Sequence, residues 1–357
     1  MDHPARLHRL LFELERRKID ALLVTHLPNV RYLCGFTGSA GILLAGRRSA
    51  FFTDGRYSEQ SRSEVQGARV VIGKGPTLAV AARHIGRSRV VRLGIEADHL
   101  TVALRSQLAT ELGKGIKLVP VSGAVETLRM IKEPAEIEAI REAVNLAARL
   151  LAPLLRGIRP GVPETTVAAR LEYMARRAGA EGMSFETIVA SGPRSALPHG
   201  VASTSPIARN GFVVLDYGVI LNGYCSDMTR TVYAGKPGEE ERALYRAVLE
   251  AQLAAITAVT PGLPAGEVDE AARSVLKRAR LAKFFTHSTG HGVGLEVHEM
   301  PRLAFRQEQV LQPGMVVTVE PGVYLPGRCG IRIEDMVLVT ERGFEVLTPA
   351  TKDLIEL

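Results

Sequence analysis

Tryptophan is missing from the 357 residues, aromatic side chains make up only 5% of them, and there are just three cysteines. So few aromatics leave no platform on which bases could stack, which argues against a single-stranded nucleic-acid binder. Cys34, Cys225 and Cys329 are odd in number and show no CxxC spacing. That argues against a disulfide framework and a thiolate zinc site, so the three read as buried, reduced side chains. No apolar run reaches the length of a membrane span. The N-terminus, MDHPARLHRLLFELERRKIDALLVTH, places Leu7, Leu10, Leu11 and Leu14 at helical spacing between charges, without the apolar block of a signal peptide. A cytoplasmic protein with no membrane contact is expected.

Acidic residues are also scarce, but only in the first third. Residues 1–125 hold 19 Lys and Arg against 10 Asp and Glu, leaving 26 against 28 for the remainder, within an overall charge of +7. The arginines are scattered singly, which reads as a solvated surface and not as a nucleic-acid stripe.

What the chain does have is enough apolar residues, 46%, to bury two cores at a length greater than one core usually serves. Up to about residue 125, short apolar runs (IDALLVTH, AGILLAG, SAFFTDGRY, RVVRLGIEA) alternate with helical patterns, the last near 100–113, as in a small α/β domain. A long helix is expected after Pro134, and the boundary is placed between residues 127 and 128. The second part repeats itself: PGVPETTV at 160–167 recurs as PGLPAGEV at 261–268, each opening an amphipathic helix. Each is followed by a strand ending in an acid, Asp216 in FVVLDYG and Glu320 in VVTVEPG. The matching order and offset predict a duplicated αβ unit with pseudo-twofold symmetry, hence an α+β fold.

The acids carry the chemistry. In LDYGVILNGYCSDMTRT, a type I′ turn at Asn222-Gly223 sets Asp216 opposite Thr229 and Asp227 opposite Gly218. Asp216, Asp227 and Thr229 then share a face. In TVEPGVYLPGRCGIRIEDM, a turn near Gly327 sets Glu320 opposite Glu334. Taken singly, each acid would pass for a solvated turn residue, but carboxylates held this close repel unless a cation lies between them. FTHSTGHGVGLEVHE adds His287, His291 and His298 on a glycine-rich loop or strand edge able to approach a ligand, and one of these could be a fifth ligand. Four carboxylates and one imidazole suit two divalent ions, Mn(II) ahead of Zn(II) or Co(II), roughly 3.5–4 Å apart with an activated water between them.

The order LDYG, GYCSDMTRT, HSTGHGVGLEVHE, TVEPGVY and GIRIED resembles the pita-bread metallopeptidases, specifically the Xaa-Pro branch with aminopeptidase P and prolidase. FTGSAG and FTDGRY resemble the creatinase-type N-terminal domain of that branch. The resemblance implies a creatinase-like domain at 1–127 and a pita-bread catalytic domain at 128–357. It implies Asp216, Asp227, His291, Glu320 and Glu334 as ligands, with Asp227 and Glu334 bridging and Glu320 also moving the proton. It further implies that His199 (in ALPHG), His287 and His298 face the substrate, with His298 and His199 also catalytic, and that Arg332 lies behind the ligands and at the substrate. Proline-containing peptides are the expected substrates, cleaved by an aminopeptidase or, alternatively, by an Xaa-Pro dipeptidase with Arg302 or Arg306 on the carboxylate. With all five ligand positions intact, a catalytically inactive peptide-binding relative is a further alternative that ranks well below both peptidases. A homodimer is expected too, with Asn29 or Tyr32 reaching the partner's site.

Overall fold

The computed structural model describes every residue, Met1–Leu357, and the chain divides into two compact units, Met1–Arg129 and Met130–Leu357. In the first unit, α1 (His3–Arg16) begins where Asp2 accepts the amide of Ala5 at 3.0 Å and a proline occupies the first turn. Its Leu7, Leu10 and Leu14 fall on one buried face. There follow β1 (Ala21–Val24), α2 (Leu27–Cys34), β2 (Ile42–Gly46), β3 (Ala50–Thr53), α3 (Ser58–Glu64) and β4 (Arg69–Ile72), then α4 (Thr77–Gly86), β5 (Arg92–Glu96), α5 (Val102–Leu112) and β6 (Lys117–Val121). The six strands form one sheet in the order β4-β3-β2-β1-β5-β6. β1 and β3 are buried at every position, which is why their sequences read as unbroken apolar runs.

One expectation fails in this unit. Asn29 and Tyr32 are 0% and 1% exposed. The Asn29 amide nitrogen donates to Glu96 and Glu126, its oxygen accepts from Arg129, and the Tyr32 hydroxyl donates to the Leu128 carbonyl. Neither side chain can reach a partner's substrate without dismantling this buried network.

α6 (Ala124–Met130) spans the division. The second unit then builds two similar halves. In the first, α7 (Pro134–Leu155), started by a capping box between Glu133 and Glu136, is followed by α8 (Glu164–Arg177), β7 (Gly182–Met183) and β8 (Ile188–Ser191). The ribbon of β9 (Gly211–Tyr217), β10 (Val219–Leu221), β11 (Tyr224–Cys225) and β12 (Met228–Ala234) completes it. The second half holds α9 (Glu239–Ala258), α10 (Ala265–Arg278), β13 (Gly290–Gly292) and β14 (Glu299–Leu303). Its ribbon is β15 (Val316–Val319), β16 (Gly322–Leu325), β17 (Cys329–Arg332) and β18 (Asp335–Thr340), with β19 (Gly343–Val346) alongside. One core packs α7 and α8 on β8, β9 and β12, and another packs α9 and α10 on β15 to β18. The repeated PG segments open α8 and α10, each 14 residues long.

Both ribbons have the register read from the sequence. Thr229 pairs with Asp216 and Leu221 with Tyr224, around Asn222 and Gly223 at φ 52° and 78°. Positive φ at both central residues is what a type I′ turn requires. In the second ribbon, Val319 pairs with Asp335 and Gly322 with Arg332, so Glu320 and Glu334 fall opposite each other. No helix is long and apolar enough to cross a membrane. The three cysteines are free, Cys34 and Cys225 buried and Cys329 only partly so.

Candidate metal centre

Each ribbon interrupts its ladder where an acid turns inward. Ser226 and Asp227 lie between β11 and β12, Glu320 follows β15, and Glu334 sits between β17 and β18. The ligand atoms of Asp227, His291 and Glu334 lie within 4.8 Å of one another. Nε2 of His291 is 3.3 Å from Glu320 Oε1 and 3.7 Å from Asp227 Oδ2. Asp216 joins through Arg332, which donates to its Oδ2. Asp227, His291 and Glu334 thus form one group, with Glu320 beside His291 and Asp216 close enough for its charge to act on Asp227.

Their hydrogen bonds aim them. His291 Nδ1 lies 3.1 Å from the Gly292 carbonyl, an acceptor that anchors this side of the ring and turns Nε2 toward the acids. Thr229 donates its hydroxyl to Glu334 Oε2 at 2.7 Å. That leaves Glu334 Oε1 and Asp216 Oδ1 buried with no hydrogen-bond partner. Buried carboxylate oxygens without donors are costly, and two of them pointing into one acid cluster fit a cation. Four oxygen donors and one imidazole suit a hard or borderline divalent ion.

The charge balance points the same way. Burial, with Glu334 facing it, pushes the Asp227 carboxyl well above the usual range. Burial and Glu320 do the same to Glu334, and burial outweighs Arg332 in raising Asp216. Burial is the largest single influence on Glu320 and opposes its charge, but His291, His287 and Arg332 together outweigh it and hold the carboxyl down to about 2. The hydrogen bond with Glu320 raises His291 against the effect of its own burial. Burial and mutual repulsion thus oppose charge on three of the four acids, an opposition that a dication among them would relieve.

Three more histidines edge the centre. His287 Nδ1 donates to the Ser288 carbonyl, so Nε2 accepts from the Tyr324 hydroxyl at 2.9 Å, which itself accepts from Arg332 at 2.6 Å. Burial lowers the pKa of His287 and keeps it neutral. His298 is exposed, its ring edge-on to His291 at 4.4 Å, and its pKa is lowered by partial burial and then by His291. His199 is exposed on the loop after β8, close enough for its charge to act on both His287 and His298.

Arg332, expected both behind the acids and among the substrate contacts, stands behind the acids. It is 3% exposed, and its donors go to Asp216, Thr229, Tyr324 and the Pro198 carbonyl. The glycines of FTHSTGHGVGLEVHE make room for neighbouring protein instead of a ligand: a Cβ on Gly290 would stand 1.9 Å from the Thr318 carbonyl oxygen, and one on Gly292 would stand 2.2 Å from that of Met300. Tyr324 was overlooked, although the alternation that puts Glu320 and Arg332 on one face puts Tyr324 there as well.

Arg302 pairs directly with His291 across β13 and β14, so both side chains leave the same face, and Arg302 is exposed. Its charge reaches His298. Arg306 is exposed as well, beyond the end of β14.

Comparison with known proteins follows the same division. The model of metallopeptidase family M24 matches residues 138–341, and that of the creatinase/prolidase N-terminal domain matches residues 6–131. The chain is 37% identical over 347 residues to the Xaa-Pro dipeptidase of Pyrococcus horikoshii, covering 96% of both chains. Its structure resembles that of an Xaa-Pro dipeptidase from Bacillus anthracis, with a TM-score of 0.96 at 42% identity and full coverage of both. It also resembles an X-Pro aminopeptidase from Thermotoga maritima, with a TM-score of 0.91 at 36% identity and coverage of 99% and 100%.

Proposed function

The chain belongs to metallopeptidase family M24, with a creatinase/prolidase N-terminal domain, and on that footing we propose that it is an Xaa-Pro dipeptidase. In this reading Asp216, Asp227, His291, Glu320 and Glu334 would hold two divalent ions, Mn(II) before Zn(II) or Co(II). The observation that carries it is the grouping of Asp227, His291 and Glu334, with Glu320 beside His291, where Asp216 and Glu334 each keep one buried carboxylate oxygen unpartnered. Relatives named Xaa-Pro dipeptidase support the dipeptidase over the aminopeptidase expected first.

The bond before proline has a nitrogen without hydrogen, so the enzyme must act on the carbonyl side and on the ring. When bound, the ions supply Lewis acidity, drawing the pKa of a held water toward neutrality and polarising that carbonyl. Glu320 is ionised, 16% exposed at its side chain, and free to take the water's proton and pass it to the leaving nitrogen. Neutral, exposed His298 donates a hydrogen bond to the carbonyl oxygen as charge builds on it. His199 and His287 bound the proline side. Arg302, leaving the same face as His291, pairs with the dipeptide's terminal carboxylate. A homodimer belongs to the same reading and is checked by sedimentation of the purified chain.

The test is hydrolysis of Xaa-Pro dipeptides and Xaa-Pro-Xaa tripeptides by enzyme loaded with manganese, cobalt or zinc. Preference for dipeptides, lost in Arg302→Ala, is expected. Cleavage of tripeptides alone would favour the aminopeptidase reading, supported by the Thermotoga likeness, and hydrolysis of neither would sink both.

A further inference from the structure

Two acids of the second unit are completely buried, touch no candidate ligand, and have no part in the chemistry above: Glu164 at the start of α8 and Asp269 in α10, both 0% exposed. Each gathers donors from a loop that carries a histidine. Glu164 accepts the Ser191 amide at 2.8 Å, the Ser203 amide at 3.1 Å and the Ser203 hydroxyl at 2.7 Å. It also accepts Arg194 Nε at 3.0 Å, while Arg194 reaches on to donate to the Val201 carbonyl at 2.8 Å. One carboxylate thereby ties together both ends of residues 191–203, and His199 stands between them.

Asp269 does the same in the other half. It accepts the Thr289 amide at 3.1 Å and hydroxyl at 2.8 Å, and Arg273 through two nitrogens at 2.6 and 3.2 Å. Arg273 in turn donates to the carbonyls of His287 at 2.6 Å and Phe285 at 3.2 Å. The parts match: a buried acid in the first turns of the repeated helix, a Ser or Thr giving amide and hydroxyl, and an arginine extending the grip to loop carbonyls. The positions do not, for Glu164 aligns with Ala265 in the repeat, and Asp269 lies one helical turn further on with a side chain one methylene shorter.

A buried acid is retained only where donors compensate it, and here the donors come from a histidine-bearing loop, from the strand end that leads into it, or from an arginine that holds it. We propose that Glu164 and Asp269 are positioning residues, paired clamps that fix His199 and His287 at the mouth of the centre from its two pseudo-symmetric sides. A loop left untied at its ends would otherwise let its histidine wander, and a displaced side chain holds the substrate less well. The effect on substrate binding rests on the substrate roles given to the histidines above; the clamps themselves do not.

The experiment measures amide hydrogen exchange and kinetics of Glu164→Gln and Asp269→Asn in the full-length, metal-loaded chain. Each substitution keeps the shape and turns one acceptor into a donor facing donors. Faster exchange confined to 191–203 in the first variant, and to 285–289 in the second, is expected, with metal content unchanged. KM for an Xaa-Pro dipeptide should rise about tenfold with kcat little affected, and adding His199→Ala to Glu164→Gln should raise it no further. Exchange unchanged in both segments, or raised throughout the fold, would overturn the proposal. Should a buried substitution prevent folding, Ser203→Ala with Arg194→Gln, and Arg273→Gln, loosen the same clamps from their less buried partners and are read in the same way. Local loosening with unaltered kinetics would keep the clamps and instead remove the histidines from the substrate site.

Discussion

Arg332 donates to Oδ2 of Asp216, and the other oxygen of that carboxylate, buried and without a donor, faces the remaining acids. One side of the carboxyl is bound to the protein and the other is held open, which is how a protein presents a metal ligand in a fixed orientation. Arg332 earns its place by orienting the ligand, and its own contact with substrate is not needed.

Breaking that pair should therefore be costly. Arg332→Met leaves Asp216 buried beside Glu320 and Glu334 with no counter-charge, and a loss of about 3–5 kcal/mol is expected for the ion-free chain. Manganese should restore part of it. Chemical denaturation with and without the ion checks this, and an ion-free variant as stable as the parent would contradict it.

Asp227→Ala or Glu320→Ala should lower kcat by orders of magnitude while circular dichroism shows the fold intact. Asp227→Ala should also reduce the bound metal found by elemental analysis. Full activity in either variant after metal reloading would refute the ligand assignment.

Metal binding should release protons. Asp227 and Glu334 have raised pKa values in the folded, ion-free chain, so above the ordinary carboxylate range that chain holds protons an unfolded one has already lost. Its stability accordingly falls as pH climbs through those raised values. Glu320 works the other way, stabilising above its ordinary pKa and losing that contribution as pH falls toward about 2. A dication displaces the retained protons, so the melting-temperature gap between loaded and ion-free protein should widen from about pH 4 to pH 8. A gap independent of pH would mean that no protons are displaced.

Gly290→Ala should destabilise by about 2 kcal/mol or more, because its Cβ would lie 1.9 Å from the Thr318 carbonyl oxygen and backbone has to move. Since Thr318 also accepts the His291 amide, metal affinity should drop with it. Calorimetric titration and thermal melting read the two effects separately.

Local rules were enough for much of the site. Asn222-Gly223 fixes a turn, the turn fixes the register, and the two-residue period of a strand fixes which acids share a face; both ribbons obey this down to single pairs. The repeated PG segments likewise marked the two helices before any contact was known. Sequence spacing could not say what a buried group would meet from the far side of the fold. That Asn29 is locked among Glu96, Glu126 and Arg129, that the glycines beside His291 yield to strand backbone, and that Glu164 and Asp269 grip histidine loops are all contacts between distant segments. Period and propensity act over a few residues, whereas these contacts join segments far apart along the chain, and only the packed structure decides which of them meet.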